Sequence, residues 1–186
     1  MKSADWNKHV SKCHWYRRAC VMRAVVQRVK RASVDVDGAT VSSIGLGLMV
    51  LVGIHTEDTL EDAQWLANKV LKARCFSDVD GTMWKESVTS DREPRQLLFV
   101  SQFTLHGSFA KGNKPDLHNV MPPGPAKQLY DEFLTIVKST IPDGNGKVHD
   151  GVFGALMEVS LVNDGPITFT LDSRDRKDRV IKESGC

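Results

Sequence analysis

The chain has 186 residues, 41% of them hydrophobic, 26% charged and 7% aromatic, with a formal charge of +2, the profile of an ordinary globular domain. Its longest apolar run, 46–54, is interrupted by glycines and falls far short of the roughly 20 residues a membrane-spanning helix needs, which excludes a helical transmembrane protein. Cys13, Cys20, Cys75 and Cys186 form no CxxC pair, so neither a disulfide framework nor a structural zinc site is indicated, and a reducing compartment, the cytoplasm, is expected.

The chain opens on a basic segment. Residues 1–21 sum to +4, residues 174–186 to +2, and the body between them, 22–173, to −4. The first segment lacks an apolar core of signal-peptide length and reads as an appended, disordered extension. Organellar targeting is the weaker reading, because Arg occurs there only at Arg17 and Arg18. His9, Cys13, His14 and Cys20 match no zinc spacing. The acidic body argues against gripping long stretches of nucleic acid through phosphates, which takes a basic face on the folded domain.

Strand signals begin at Met22. Residues 24–29 and 33–36 read as strands, Asp37-Gly38 as a hairpin turn into Thr40-Val41, and the continuous apolar run 46–54 as a strand covered on both faces, so a meander comes first. Thr59 and Asp62 form a capping pair ahead of Leu60, Ala63, Leu66, Ala67, Val70 and Leu71, which recur at helical spacing up to about Arg74. Asp80-Gly81 marks a turn between short strands around Phe76 and Met83-Trp84, and 97–105 is a second strongly apolar strand. A loop at 106–124 leads to Pro125 as the first residue of a helix carrying Leu129, Phe133, Ile136 and Val137. Residues 155–162 alternate as a strand, turn at 163–166 and continue as a strand at 167–171. The sum is a single α+β domain over 22–173 with about seven strands in a curled, mostly antiparallel, barrel-like sheet and two main helices. The tail 174–186 reads as charged and flexible.

No HExxH, GxSxG, P-loop or dinucleotide glycine pattern occurs, so chemistry must come from polar residues in unusual places. Ser101, Gln102, Phe103 and Thr104 end an apolar strand, with Gln102 and Thr104 expected on the face of Leu98 and Val100. On periodicity this is a strand end becoming wet; as a site it supplies hydrogen bonds without charge, suited to positioning a substrate. Asn163-Asp164-Gly165-Pro166 is first of all a turn. The alternative is a receptor, because about 5–6% of X-Pro bonds in folded proteins are cis, and two carbonyls aimed the same way would hold an ammonium group. Arg28 falls on the apolar face of Ala24 and Val26 and calls for a carboxylate or carbonyl acceptor. Lys111-Gly112-Asn113-Lys114-Pro115 is a basic loop, either solvated or touching a phosphate. His106 and His118 read as surface or loop histidines rather than bases.

These pieces resemble the D-aminoacyl-tRNA deacylase family: MRAVVQRV at 22–29, SQFTL at 101–105, KGNKPD at 111–116, DGVFGALM at 150–157 and NDGPIT at 163–168. The resemblance implies an editing hydrolase that removes D-amino acids, and glycine, from the 3′ end of tRNA, working as a homodimer without cofactor or metal. It implies that Gly165 and Pro166, in the cis form, enter the active site of the other subunit, hold the substrate's amino group and leave no room for an L side chain. It matches Arg28 to the arginine that fixes this motif, Ser101, Gln102, Phe103 and Thr104 to the pocket strand, and Phe153 and Met157 to residues near the terminal adenosine and the motif. Two other readings remain: a non-catalytic nucleic-acid-binding protein held by its basic ends, and a threonine-nucleophile esterase, which would need a base beside Thr104.

Overall fold

The computed structural model describes residues 22–90, 93–142 and 144–175. The 1–21 segment and all of the 174–186 tail except Arg174 and Asp175 lie outside the described residues.

Six strands form one sheet: β1 (Arg23–Val36), β2 (Ala39–Ile44), β3 (Gly47–Gly53), β4 (Gln96–Ser101), β5 (Val148–Asp150) and β6 (Glu158–Asp172). The helices are α1 (Leu60–Lys72), α2 (Pro123–Thr140) and the short α3 (Gly144–Lys147). The sheet runs β2-β1-β3-β4-β5, and β6 pairs with β1. The three pairings made by β1 are antiparallel, whereas β3 with β4 and β4 with β5 are parallel. Ser42 Oγ donates to the Asp150 carbonyl, linking β2 back to β5 so that the sheet curls into a nearly closed barrel.

Local chemistry accounts for much of this. Asp37 and Gly38 both take positive φ, 51° and 77°, as the two-residue hairpin between β1 and β2 requires. Asp62 accepts from the Thr59 amide at 3.1 Å at the head of α1, and its other oxygen accepts from Ser173 Oγ at 2.8 Å, tying the end of β6 to the helix. β3 and β4 are covered on both faces, as their apolar runs predict. Leu48, Val50, Val52, Leu97 and Phe99 pack toward α1 and α2, while Met49, Leu98 and Val100 pack inside the curl with Val29, Ala32, Val34 and Ile44.

Several expectations are corrected. The first three strands are not a meander: β1 is long enough, at 14 residues, for β2 to pair with its second half and β3 with its first. The sheet has six strands rather than seven, because Phe76 makes only an isolated bridge to Glu86 and Met83-Trp84 forms a turn. The three-residue β5 carries too few residues to show a period, and α2 begins two residues before Pro125, at Pro123. The strand from Leu97 stops at Ser101, and Phe103–His106 is a single 3-10 turn, so Gln102 and Thr104 do not continue the face of Leu98 and Val100. Residues 163–166 do not turn the chain back; they lie within one continuous strand, β6. His106, expected as a surface or loop histidine, sits in the turn but is buried, 5% exposed.

Candidate active site

The C-terminal ends of the three parallel strands and the start of α2 enclose a hollow of about 310 Å³. Its walls are mostly apolar: Val52 at the end of β3 and Ile54 just after it, Met121 and Ala126 at α2, and Phe153 beyond β5; Ser101, Gln102 and Phe103 form its remaining side. Crevices outside the carboxyl ends of parallel strands are a recurrent location for ligands. Alternation places Ser101 on the helix-facing side of β4 with Leu97 and Phe99.

The turn after β4 is held from several directions. The Gln102 amide donates to the Val52 carbonyl at 2.7 Å, and the Gly107 amide donates to the Thr104 carbonyl at 2.9 Å. Arg23 Nη1, at the head of β1, donates to the Leu105 carbonyl at 3.0 Å. Gly53 makes room for the turn: a Cβ there would lie 2.9 Å from Leu105 Cβ and 3.0 Å from the Gln102 carbonyl oxygen. The amides of Phe103 and Thr104 open the turn and find no acceptor among the described residues, as the first donors of a helical turn do unless capped. Gln102 Nε2 donates to Thr104 Oγ1. Beneath the turn His106 meets His55 edge to face, ring centroids 5.3 Å apart. Burial pushes the His106 pKa down to about 4, with the charges of Arg23 and His55 adding to the shift against the opposing Gly53 backbone and Asp172. A neutral, enclosed imidazole with no hydrogen bond to Thr104 does not make that hydroxyl a nucleophile.

The second predicted segment is built differently. β1 and β6 pair on either side of Arg28, Gln27 opposite Thr168 and Val29 opposite Asn163, so β6 carries surplus residues there and bulges. The Gly165-Pro166 bond at the bulge is cis, and Gly165 has a φ of 117°. A Cβ on Gly165 would come within 2.8 Å of Ile167 Cγ1. Arg28 sits under the bulge with its side chain 10% exposed, its Nε 2.8 Å from Asp164 Oδ2 as an ion pair. Its Nη1 donates to the Cys75 carbonyl at 2.7 Å. Two cations lie over the Phe76 ring, Arg28 at 5.8 Å and the buried Arg95 at 4.2 Å from its centroid, at distances where ring faces attract them. The acceptors that Arg28 was expected to need are a carboxylate and a carbonyl together.

The structure therefore gathers Ser101, Gln102, Phe103 and Phe153 in one hollow with Thr104 beside it, and gathers Arg28, Gly165 and Pro166 at the bulge, where the last two are exposed. Met157 packs against the inner face of the curl, and Gly151 leaves the space its sulfur fills. The basic loop is an exposed hairpin closed by the Ser108 to Asp116 bridge. There Lys111 lies 2.8 Å from Asp116, and hydrogen bonds from Lys111 and His118 hold that carboxyl well below its usual range. Sequence reasoning missed the walls at Val52, Ile54, Met121 and Ala126. Val52 was reachable through its alternation with Val50, but the others meet only in three dimensions.

A family model described as D-Tyr-tRNA(Tyr) deacylase matches residues 25–172. The chain belongs to that family. It is 48% identical over 157 residues, 84% of its own length and all of the relative's, to a D-aminoacyl-tRNA deacylase of Yarrowia lipolytica. Among solved structures it is similar to that of a c-Myc DNA Unwinding Element Binding Protein, with a TM-score of 0.74 and 44% identity over 80% of this chain and 97% of that one. The structure of a probable eukaryotic D-amino acid tRNA deacylase shares the fold, with a TM-score of 0.65 at 19% identity, covering 81% of this chain and 98% of that one. The expectation of a deacylase enzyme from the 101–105 and 163–168 segments is met.

Proposed function

We propose that this chain hydrolyses the ester of D-aminoacyl-tRNA, and of glycyl-tRNA, to free tRNA and amino acid, and that it does so as a homodimer whose Gly165-Pro166 bulge enters the partner's hollow. The observation that carries the reading is the separation of the two halves of the site. Neither Gly165 nor Pro166 lines the hollow of its own chain, and both are exposed at a bulge held rigid from beneath by Arg28. Among the described residues β6 also has an unpaired outer edge along its 15 residues, with Val159 and Phe169 exposed, an edge of the kind proteins pair or cover.

The chemistry asked of the residues is modest. The aminoacyl ester is already activated, and the adjacent ribose hydroxyl can assist water. Water adds to the ester carbonyl, the bond to the ribose oxygen breaks, and the proton from water passes to that oxygen. The free amides of Phe103 and Thr104 receive the negative charge that develops on the carbonyl oxygen. A single such donor is worth about 10²–10³ in rate. The main-chain carbonyls of Gly165 and Pro166 hold the substrate's amino group, Phe153 and Met157 lie near the terminal adenosine and the Gly165-Pro166 motif, and an L side chain meets the stiff backbone. Glycine, without a Cβ, passes. The proposed place of action is a reducing compartment, the cytoplasm, since four scattered cysteines do not make the disulfide framework of a secreted domain.

The test is hydrolysis by the purified full chain. D-aminoacyl-tRNA and glycyl-tRNA should be cleaved and L-aminoacyl-tRNA left intact, while a substrate ending in 2′-deoxyadenosine should be nearly inert. Equal stripping of both enantiomers, or a stable monomer with full activity, overturns the reading. The second reading, a non-catalytic nucleic-acid-binding protein, is favoured by the likeness to the DNA-unwinding-element binding protein. It predicts binding without turnover.

A further inference from the structure

Beside the C-terminal end of α1 lies a surface cleft of about 400 Å³. Lys72 and Arg74 line it from the end of α1 and the residues after it, and Lys85 faces them from a separate loop. The hydroxyl residues Ser87, Thr89 and Ser90 complete the lining with Glu86. Glu86 is already committed: it lies 2.7 Å from Arg95 Nη2, with a side chain only 11% exposed. Lys72, Arg74 and Lys85 are exposed, and among the described residues none of their side chains has an ion pair or hydrogen bond. Arg23, Arg28, Arg95, Lys111 and Lys127 each have a carboxylate partner; Lys114 and Lys138 lack one too among the described residues, and what sets the cleft apart is that three such cations share one lining with three hydroxyl residues.

A cation near a helix C-terminus favours the helix dipole, which accounts for Lys72. It does not account for Arg74, which lies past the helix, or for Lys85, which comes from elsewhere in the chain. Three uncompensated cations beside three hydroxyl residues, on a body whose charge is otherwise negative, form a local anion receptor. Lys, Arg, Ser and Thr are the side chains that contact phosphate oxygens without reading sequence. The cleft is also tied to the bulge. Arg74 is followed by Cys75, whose carbonyl accepts from Arg28, and by Phe76, whose ring is within cation–π distance of both Arg28 and Arg95.

We infer that the Lys72, Arg74 and Lys85 cleft binds the phosphate backbone of the tRNA substrate, outside the aminoacylated end. The inference rests on the proposed deacylase reading: Arg74 of the cleft runs directly into Cys75 and Phe76, which back Arg28 under the bulge, so a bulge seated at the partner's hollow would carry the cleft with it toward the bound tRNA. One subunit then supplies the pocket, and the other supplies the bulge together with the grip on the backbone.

The test is the full chain carrying Lys72→Gln, Arg74→Gln and Lys85→Gln together, beside a control carrying Lys127→Gln and Lys138→Gln on α2. For D-aminoacyl-tRNA the triple variant should raise KM roughly tenfold or more with kcat unchanged, and the dependence of log affinity for uncharged tRNA on log salt should flatten by about two to three units of slope. Hydrolysis of a D-aminoacyl ester of adenosine alone, which has no phosphate, should not change. An unaltered KM and salt slope overturns the inference, as does an equal loss on both substrates, which would mean structural damage, or the same flattening in the control. If the unmodified chain fails to hydrolyse D-aminoacyl-tRNA, the deacylase reading falls, and the salt slope for uncharged tRNA still decides the cleft.

Discussion

The turn at Phe103–His106 and the bulge at Gly165-Pro166 both break a strand's pairing, in opposite ways. The turn begins where β4 runs out of partner: the Gln102 amide takes the Val52 carbonyl, β3 ends at Gly53, and the next amides have no ladder to join. The bulge forms where β6 has residues to spare while β1 continues on both sides of it. The turn lies over buried histidines and beside an apolar hollow, with Phe103 and Thr104 exposed, whereas the bulge lies over a buried guanidinium. An enzyme that must both stabilise charge and reject a shape can assign the first task to exposed amides and the second to supported main chain.

The largest test of this contrast is Arg28→Ala. It strips the bulge of its ion pair and its link to Cys75, leaves Asp164 unpaired, and should cost on the order of 3 kcal/mol by chemical denaturation. D-aminoacyl-tRNA cleavage should fall far more than this loss of stability explains, although the hollow is untouched. Unaltered cleavage would show that the bulge needs no such support. The turn should reveal itself through pH. The folded pKa of His106, about 4, lies below its ordinary 6.5, so the stabilisation from its neutral ring is complete above pH 6.5 and is lost as pH falls from there toward 4. The whole loss is roughly 3 kcal/mol, and His106→Gln should flatten the fall in Tm over that range. An unchanged slope would place the acid sensitivity elsewhere.

Two glycines sharpen the comparison at smaller cost. Gly53→Ala drives a methyl into Leu105 and Gln102 and should cost about 1–3 kcal/mol, lowering kcat while the preference for the D enantiomer persists. Gly165→Ala puts a side chain at a φ of 117° at a cost of about 1–3 kcal/mol, and should lower the D-to-L rate ratio instead. Identical kinetic signatures from the two variants would erase the division of labour. The smallest effect belongs to Thr104→Ala, which removes the hydroxyl but keeps the amide. Single-turnover rates should stay within about threefold, against the 10²–10³ expected from losing an oxyanion donor.

What the sequence reveals follows the range of the interactions involved. Asp37-Gly38, the Thr59 and Asp62 cap, and the doubly covered run 46–54 depend on neighbours within a few positions, and all are legible. Arg28 is legible as an arginine in need of acceptors, but Asp164 and the Cys75 carbonyl, 136 and 47 positions away, are not. The residues at 163–166 have turn composition and would reverse the chain if they stood alone; pairing with β1 on both flanks overrides them. The same applies at Phe103, where apolar residues continue in sequence but the partner strand does not. The resemblance brought the two segments together as one site, and local periodicity alone kept them apart.

β1 carries an arginine at each of these places. Arg23 reaches the Leu105 carbonyl and Arg28 reaches Asp164, five positions apart on one strand, or roughly 17 Å at about 3.3 Å per residue. That strand acts as a ruler. Inserting or deleting a single residue between the two arginines would change the span and also turn one of them to the opposite face, so the spacing between hollow and wedge tolerates substitution along β1 but not a change in its length.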